Sequence, residues 1–306
     1  MRILLPIDGS TFSDAAVAFV ASRATLILNH APEVELLNVQ YPVPPRAARY
    51  VGRERVVSYH ESEAKKVLKP ALATLKRAGL RPSAKYVVGS AGAEVARVAA
   101  SDGADLIVMG SHGHTGLKSL LFGSVTNAVL ASCDTPLLVL RGSSGPKKSA
   151  NKDELKVGIA LDGSKYGVAA VRYVIKHRAL FGAMPSIALL HVVPDLLNLV
   201  VPGFFGDAPV PGFKPEQVEA MQHGAFENAM APARKLFQKA GLQATEFRLA
   251  GNNIGDALAA HAKQIKLDLL VMGSHGAGGL RSAVLGSVAT RGAVQCRNPL
   301  LFVREK

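Results

Sequence analysis

Two carboxylates follow apolar runs in the same local setting, Asp8 in LLPIDGS and Asp162 in GIALDGS. A carboxylate at the carboxyl end of a buried strand can accept hydrogen bonds from a ribose hydroxyl or an adenine amine. The Gly-Ser that follows suits a turn and a helix N-cap, and the two roles can coexist at one site. A glycine string is duplicated as well. Residues 110–126 read GSHGHTGLKSLLFGSVT and residues 273–289 read GSHGAGGLRSAVLGSVA, with ten identities in seventeen positions. Gly110, Gly113, Gly123 and Ser124 recur in register as Gly273, Gly276, Gly286 and Ser287, while the side chains between them drift. Glycines let a backbone approach a ligand closely and turn N–H groups toward one point. The helix expected from SVTNAVLASC would add unpartnered amides and a dipole that favours an anion. Together these parts make a phosphate cradle.

The cradle is neither of the two familiar kinds. A Walker loop needs Gly-Lys-Ser/Thr, and here Leu117 separates Gly116 from Lys118; a Rossmann fingerprint would follow the first strand, where only DGS stands. His112 and His275 suggest a base or a metal ligand. Neither has a His, Cys or carboxylate partner at metal-ligand spacing, so a structural or phosphate-facing hydrogen bond is expected and no metal site is assigned. Lys118 and Arg281, in matching places, read as solvated charges within reach of a terminal phosphate.

The elements that must position these residues are also written twice. RILLPIDGSTFSDAAVAFV matches VGIALDGSKYGVAAVRYV, VELLNVQ matches IALLHVV, ADLIVMGSHG matches LDLLVMGSHG, and TPLLVLR matches NPLLFVR. Four landmarks in one order mean two homologous domains. The boundaries expected are residues 1–143 and 155–306, joined by a Gly/Ser/Pro/Lys-rich linker at 144–154. Within the first copy, runs 2–7, 34–39, 84–88, 105–109 and 137–141 read as strands buried on both faces. Segments at 13–28, 61–79, 93–103 and 124–133 carry apolar residues at helical spacing. Strand and helix in alternation predict an α/β fold, with a doubly wound, parallel five-stranded sheet in each domain. The stretch 195–217 shows neither period and accounts for most of the extra length of the second copy.

With 306 residues, 48% of them hydrophobic and 19% charged, the chain has room for about two domains of roughly 150 residues, each with its own core. The sequence has no apolar run of membrane-spanning length and no secretory leader pattern, so a cytoplasmic protein is expected. Cys133 and Cys296 occupy matching places before an apolar run and read as small buried residues. The net charge of +13 favours polyanions in general. Nucleic acid is not the favoured partner, because no aromatic residues are expected to interleave with the basic ones.

The spacing Gly, two residues, Gly, nine residues, Gly-Ser after a strand ending in Met-Gly, with an Asp after the first strand, resembles the nucleotide-binding branch of the universal stress protein family. The resemblance covers nearly the whole chain and identifies it as a tandem member. It implies a Rossmann-like fold of the adenine nucleotide α-hydrolase kind. It also implies that Asp8 and Asp162 contact the ribose or adenine side of ATP or a related adenine nucleotide, with or without Mg2+. Backbone groups of Val39 and Val192 would hold adenine. Gly110, Gly113, Gly123 and Ser124 would hold phosphates in the first domain, and Gly273, Gly276, Gly286 and Ser287 in the second. The last strands, PLLVLR and PLLFVR, would pair edge to edge, which makes the chain a covalent version of the family's dimer; further homodimerisation stays open. His114, Thr115 and Thr126 give way to Ala277, Gly278 and Ala289 in the second cradle, so if only one site is occupied the first is expected.

The leading functional expectation is a stress-response regulator that changes conformation or partners with nucleotide occupancy. A slow ATP hydrolase or transferase and a nucleotide-free scaffold are the alternatives. No catalytic set of base and metal accompanies the glycines.

Overall fold

Each apolar run of the first copy becomes a strand, and each of its counterparts in the second copy does too. The computed structural model describes residues 1–28, 31–113, 122–141, 154–196, 214–274 and 295–304. In the first half β1 is Arg2–Pro6, β2 Glu33–Gln40, β3 Ser83–Val88, β4 Leu106–Gly110 and β5 Leu137–Leu140. In the second half β6 is Lys156–Ala160, β7 Ser186–Val193, β8 Thr245–Ala250, β9 Leu269–Gly273 and β10 Leu300–Val303. The helices are α1 (Thr11–Ser22), α2 (Ala24–Ile27), α3 (Pro45–Val51), α4 (Arg53–Arg77), α5 (Ala91–Ser101) and α6 (Ser124–Ser132) in the first half. In the second half they are α7 (Lys165–Lys176), α8 (Pro215–Lys239) and α9 (Ile254–Gln264).

The strand order is β3-β2-β1-β4-β5-β10-β9-β6-β7-β8 in one ten-stranded sheet. Pairing is parallel within each half, with Pro6 opposite Leu37 and Ala160 opposite Leu190. At the centre β5 and β10 pair antiparallel, with Leu301 opposite Leu138. Side chains alternate across the sheet, so each strand feeds two cores. Leu5, Leu106 and Leu138 pack on the face covered by α1 and α4, and this layer continues under α7 and α8. Leu4, Ile107 and Val139 pack on the opposite face with residues of α5, α6 and α9. Strands covered on both faces need apolar side chains in both directions, which explains the near-continuous Leu, Ile and Val runs.

Side chains lock the seam between the halves. Arg141 Nη1 donates to the Cys296 carbonyl at 2.5 Å, and its guanidinium lies 5.0 Å from the Phe122 ring centre. Arg304, the matching residue of the second copy, donates to the Leu130 carbonyl and sits 3.3 Å from Asp134 Oδ1. Phe122 meets Phe302 edge to face with ring centres 6.1 Å apart. Tyr173 of α7 reaches across to the Asp105 carbonyl at 3.1 Å. Cys133 and Cys296 are buried free thiols, and burial pushes the Cys296 pKa up to about 11.

The structure departs from expectation ahead of the second helix of the first copy. A helix expected from residue 61 begins at Arg53, and α3 precedes it. Its first turns bury nothing before His60, so no apolar period marked them. In the second copy, α8 begins at Pro215, inside the stretch 195–217 that shows no period in sequence. Proline suits the first turn of a helix, where its missing N–H has no partner to lose. Among the described residues, no helix is long and apolar enough to cross a membrane.

Candidate functional site

The carboxyl ends of β1 and β4 bring the expected residues of the first half together. After β1 the chain turns at Gly9, where φ is +82°, and the Asp8 carboxylate folds back so that the Ser10 N–H donates to Oδ1 at 2.9 Å. Ser10 caps α1, its hydroxyl oxygen accepting from the Ser13 N–H at 3.2 Å. The second half repeats the turn: φ is +78° at Gly163, the Ser164 N–H donates to Asp162 Oδ1 at 3.0 Å, and the Ser164 oxygen accepts from the Gly167 N–H at 3.3 Å. Asp-Gly-Ser therefore is a turn and a cap, built with one carboxylate oxygen.

The other oxygen of Asp8 faces the glycine string. A Cβ added at Gly113 would lie 2.6 Å from Asp8 Oδ2, so the residue-113 backbone is held directly against that carboxylate. Gly110 has a different reason to be glycine: its Cβ would fall 2.5 Å from Phe12 Cβ and 2.7 Å from the Phe12 carbonyl carbon. Gly273 repeats this against Tyr166, at 2.6 Å from Cβ and 2.8 Å from the carbonyl carbon. These close contacts let α1 and α7 start beside the ends of β4 and β9.

The chain on either side of the string is pinned. Ser111 N–H donates to the Leu140 carbonyl at 2.8 Å, and Gly123 N–H donates back to the Ser111 carbonyl at 2.7 Å. Buried Thr126 donates from its hydroxyl to the Gly110 carbonyl at 3.1 Å. His112 lies beside Phe12 with ring centres 5.6 Å apart, and its Nδ1 is 3.0 Å from the Ser111 hydroxyl. With Gly123 as its N-cap, α6 starts at Ser124, so its first amides open next to residues 111–113. The arrangement sets the N-terminus of the nine-residue helix α6, whose first amides can face an anion, near a carboxylate that can accept from hydroxyl or amine donors.

Val39 lies near the end of β2, and Asn38 beside it sends Nδ2 to the Ile7 carbonyl at 2.9 Å, one residue before Asp8. In the second half His191, beside Val192, places Nδ1 2.7 Å from the Leu161 carbonyl, one residue before Asp162. Sequence reasoning missed this pair. The signal was a polar residue after Leu-Leu at the same place in each strand, Asn38 in VELLNVQ and His191 in IALLHVV. Behind Asn38 a polar chain continues: Gln40 Nε2 donates to Asn38 Oδ1 at 3.1 Å, and Gln40 Oε1 is 2.6 Å from His60 Nδ1.

Asp162, His191, Val192 and Gly273 line one cleft in the second half, with Ile254 and Leu258 of α9 as further walls. The candidates Gly276, Gly286 and Ser287 lie outside the described residues, as do His275, Lys118, Arg281 and the compared pairs His114/Ala277 and Thr115/Gly278. Among the described residues no group of three His, Cys, Asp or Glu side chains is placed to hold a metal ion.

Comparison with known proteins gives one consistent result. The model of the universal stress protein family matches residues 1–141 and 155–304. A universal stress protein of Mycolicibacterium smegmatis is 27% identical over 313 residues, covering 99% of this chain and 97% of the relative. One from Methanocaldococcus jannaschii is 32% identical over 155 residues, covering 46% of this chain and 94% of the relative. The crystal structure of a universal stress protein from Archaeoglobus fulgidus shares the fold with a TM-score of 0.68 at 19% identity, covering 100% of this chain and 98% of that one.

Proposed function

The chain belongs to the universal stress protein family, and from that premise we propose that it binds an adenine nucleotide and acts as a stress-response regulator through nucleotide-dependent conformation or partner binding. The observation that carries the reading is the seating of the Gly113 backbone against Asp8, with the α6 N-terminus opening beside it. A ligand with a sugar hydroxyl or amine at one end and phosphates at the other matches that pairing of carboxylate and amides. Asp8 would accept from the ribose or adenine, backbone groups of Val39 would hold the adenine edge, and Gly110, Gly113, Gly123 and Ser124 would surround the phosphates. Asp162, Val192 and Gly273 would do the same in the second half with Gly276, Gly286 and Ser287. Residues 1–143 and 155–306 form the two proposed units, with β5 and β10 as their joint in the manner of a covalent dimer.

The test is direct. Freshly purified protein is denatured, and the released small molecules are identified and counted by mass spectrometry. About two adenine nucleotides per chain are expected if both sites fill, and about one, retained in the first half, if they differ. No nucleotide on release and no heat on titration with ATP would defeat the reading. Steady phosphate release that Ser124→Ala abolishes would move it toward a hydrolase.

A further inference from the structure

Between the end of β2 and the start of α4 the first half carries a feature outside the nucleotide contacts proposed above. Residues 41–60 read YPVPPRAARYVGRERVVSYH, with Arg46, Arg49, Arg53 and Arg55 against one carboxylate, Glu54. This corrects the expectation that aromatic residues do not interleave with the basic ones: Tyr41, Tyr50 and Tyr59 do. α3 buries none of its residues, and Tyr50 on it is 93% exposed. Between α3, the first turns of α4 and the end of β3 lies a groove of about 590 Å³, its walls formed by Pro42, Val43, Val56, Val57 and Val88, with Arg49 and Arg53 among its lining. The buried ring of His60 also lines it.

The segment is basic, with four arginines and one glutamate. The ion pairs of the first half use Arg2, Lys65, Lys66, Lys85 and Arg97, and among the described residues none involves Arg46, Arg49, Arg53 or Arg55. An aliphatic trough with Arg49 and Arg53 in its lining, and Arg46 and Arg55 in the same exposed segment, calls for a partner that is apolar on one side and anionic on the other. A lipid surface would need a convex apolar face, and here the valines line a concavity. Stacked bases would need an aromatic floor, and here the floor is aliphatic. We propose that this groove docks an acidic amphipathic segment of a partner protein, whose leucine- or phenylalanine-type side chains enter between α3, α4 and β3 while its carboxylates meet Arg49 and Arg53.

The probe is a fluorescein-labelled peptide of about 16 residues with Leu at i, i+3, i+4 and i+7 positions and Glu elsewhere, the spacing of a helix laid in a groove. Fluorescence anisotropy with the full chain is expected to show saturable binding that weakens as salt rises. The double substitution Arg49→Glu with Arg53→Glu should weaken binding at least about tenfold, as should Val57→Glu on the groove wall, while a scrambled peptide of the same composition binds poorly. Arg49 and Arg53 are exposed, so an unchanged thermal melt is expected and certifies the fold. The proposal is overturned if the peptide does not bind, if the scrambled peptide binds as well, or if the substitutions leave binding intact. It is equally overturned if oligothymidylate or phosphatidylglycerol vesicles bind more tightly than the peptide and lose that binding in the Arg49→Glu, Arg53→Glu protein.

Discussion

Gly113→Ala and Gly110→Ala are the same chemical change three residues apart, yet the structure gives them different consequences. At residue 110 the new methyl would sit 2.5 Å from Phe12 Cβ and 2.7 and 2.8 Å from the Phe12 carbonyl carbon and oxygen. Backbone cannot rotate away, so β4 and α1 must separate, at a cost of about 1–3 kcal/mol or more for overpacking. In a domain of this size each kcal/mol lowers the melting temperature by about 2–4 °C. At residue 113 the methyl would meet Asp8 Oδ2 at 2.6 Å, and the next nearest atom is Asp8 Cγ at 3.9 Å. A carboxylate tip can turn aside at the expense of its bond from the Ser10 N–H, so the fold should lose about 0.5–1.5 kcal/mol, less than at residue 110. The displaced oxygen is the one proposed to face ligand. Losing a charged hydrogen bond of about 1.5–3 kcal/mol weakens ATP binding roughly tenfold to a hundredfold. Calorimetric titration with ATP and a scanning melt of both variants separate the two outcomes. If Gly113→Ala binds ATP as the parent does, or melts as early as Gly110→Ala, the assignment of Asp8 to the ligand is wrong.

Two further outcomes follow from the charges and thiols. The Asp102 carboxyl is held down to about 2 from an ordinary 3.8, chiefly by its hydrogen bond from Lys85, so its contribution to stability is complete above about pH 4 and vanishes as pH falls toward 2. Denaturant melts should show the parent more stable than Asp102→Asn near pH 6 and the gap closing between about pH 4 and pH 2; a gap that is constant with pH would remove Lys85 as its cause. With Cys133 and Cys296 buried and the Cys296 pKa pushed up to about 11, a disulfide reagent at pH 8 should find almost no thiol in the native chain and two after unfolding. Rapid native labelling would show that the seam between the halves opens.

Hydrophobic pattern reports burial, and the elements legible in the sequence are those that bury a face. The runs 2–7, 34–39 and 137–141 became β1, β2 and β5 within a residue or two, because strands covered on both sides are dominated by apolar residues, even with Glu35 and Asn38 in β2. α3 and the first turns of α4 were illegible for the converse reason, having nothing inside to produce a period. At the candidate site the glycines and Asp8 were legible because they repeat. The identity of what crowds each glycine was not, since Phe12 meets Gly110 and Asp8 meets Gly113 only after β1 and β4 lie side by side. Asn38 and His191 went unread because they act through a neighbouring strand's carbonyl, a contact no local spacing encodes.

The antiparallel junction of β5 with β10 reverses strand direction across the middle of the sheet. The carboxyl ends of the first five strands and those of the second five therefore point to opposite margins of the molecule. Asp8 and Asp162, at the ends of β1 and β6, look out in contrary directions. A rigid body pressed against one margin would touch one of the two candidate sites and not the other. The two candidate sites thus lie at opposite margins of one sheet, and two independently held ligands would give four distinguishable loading states rather than one on-off setting.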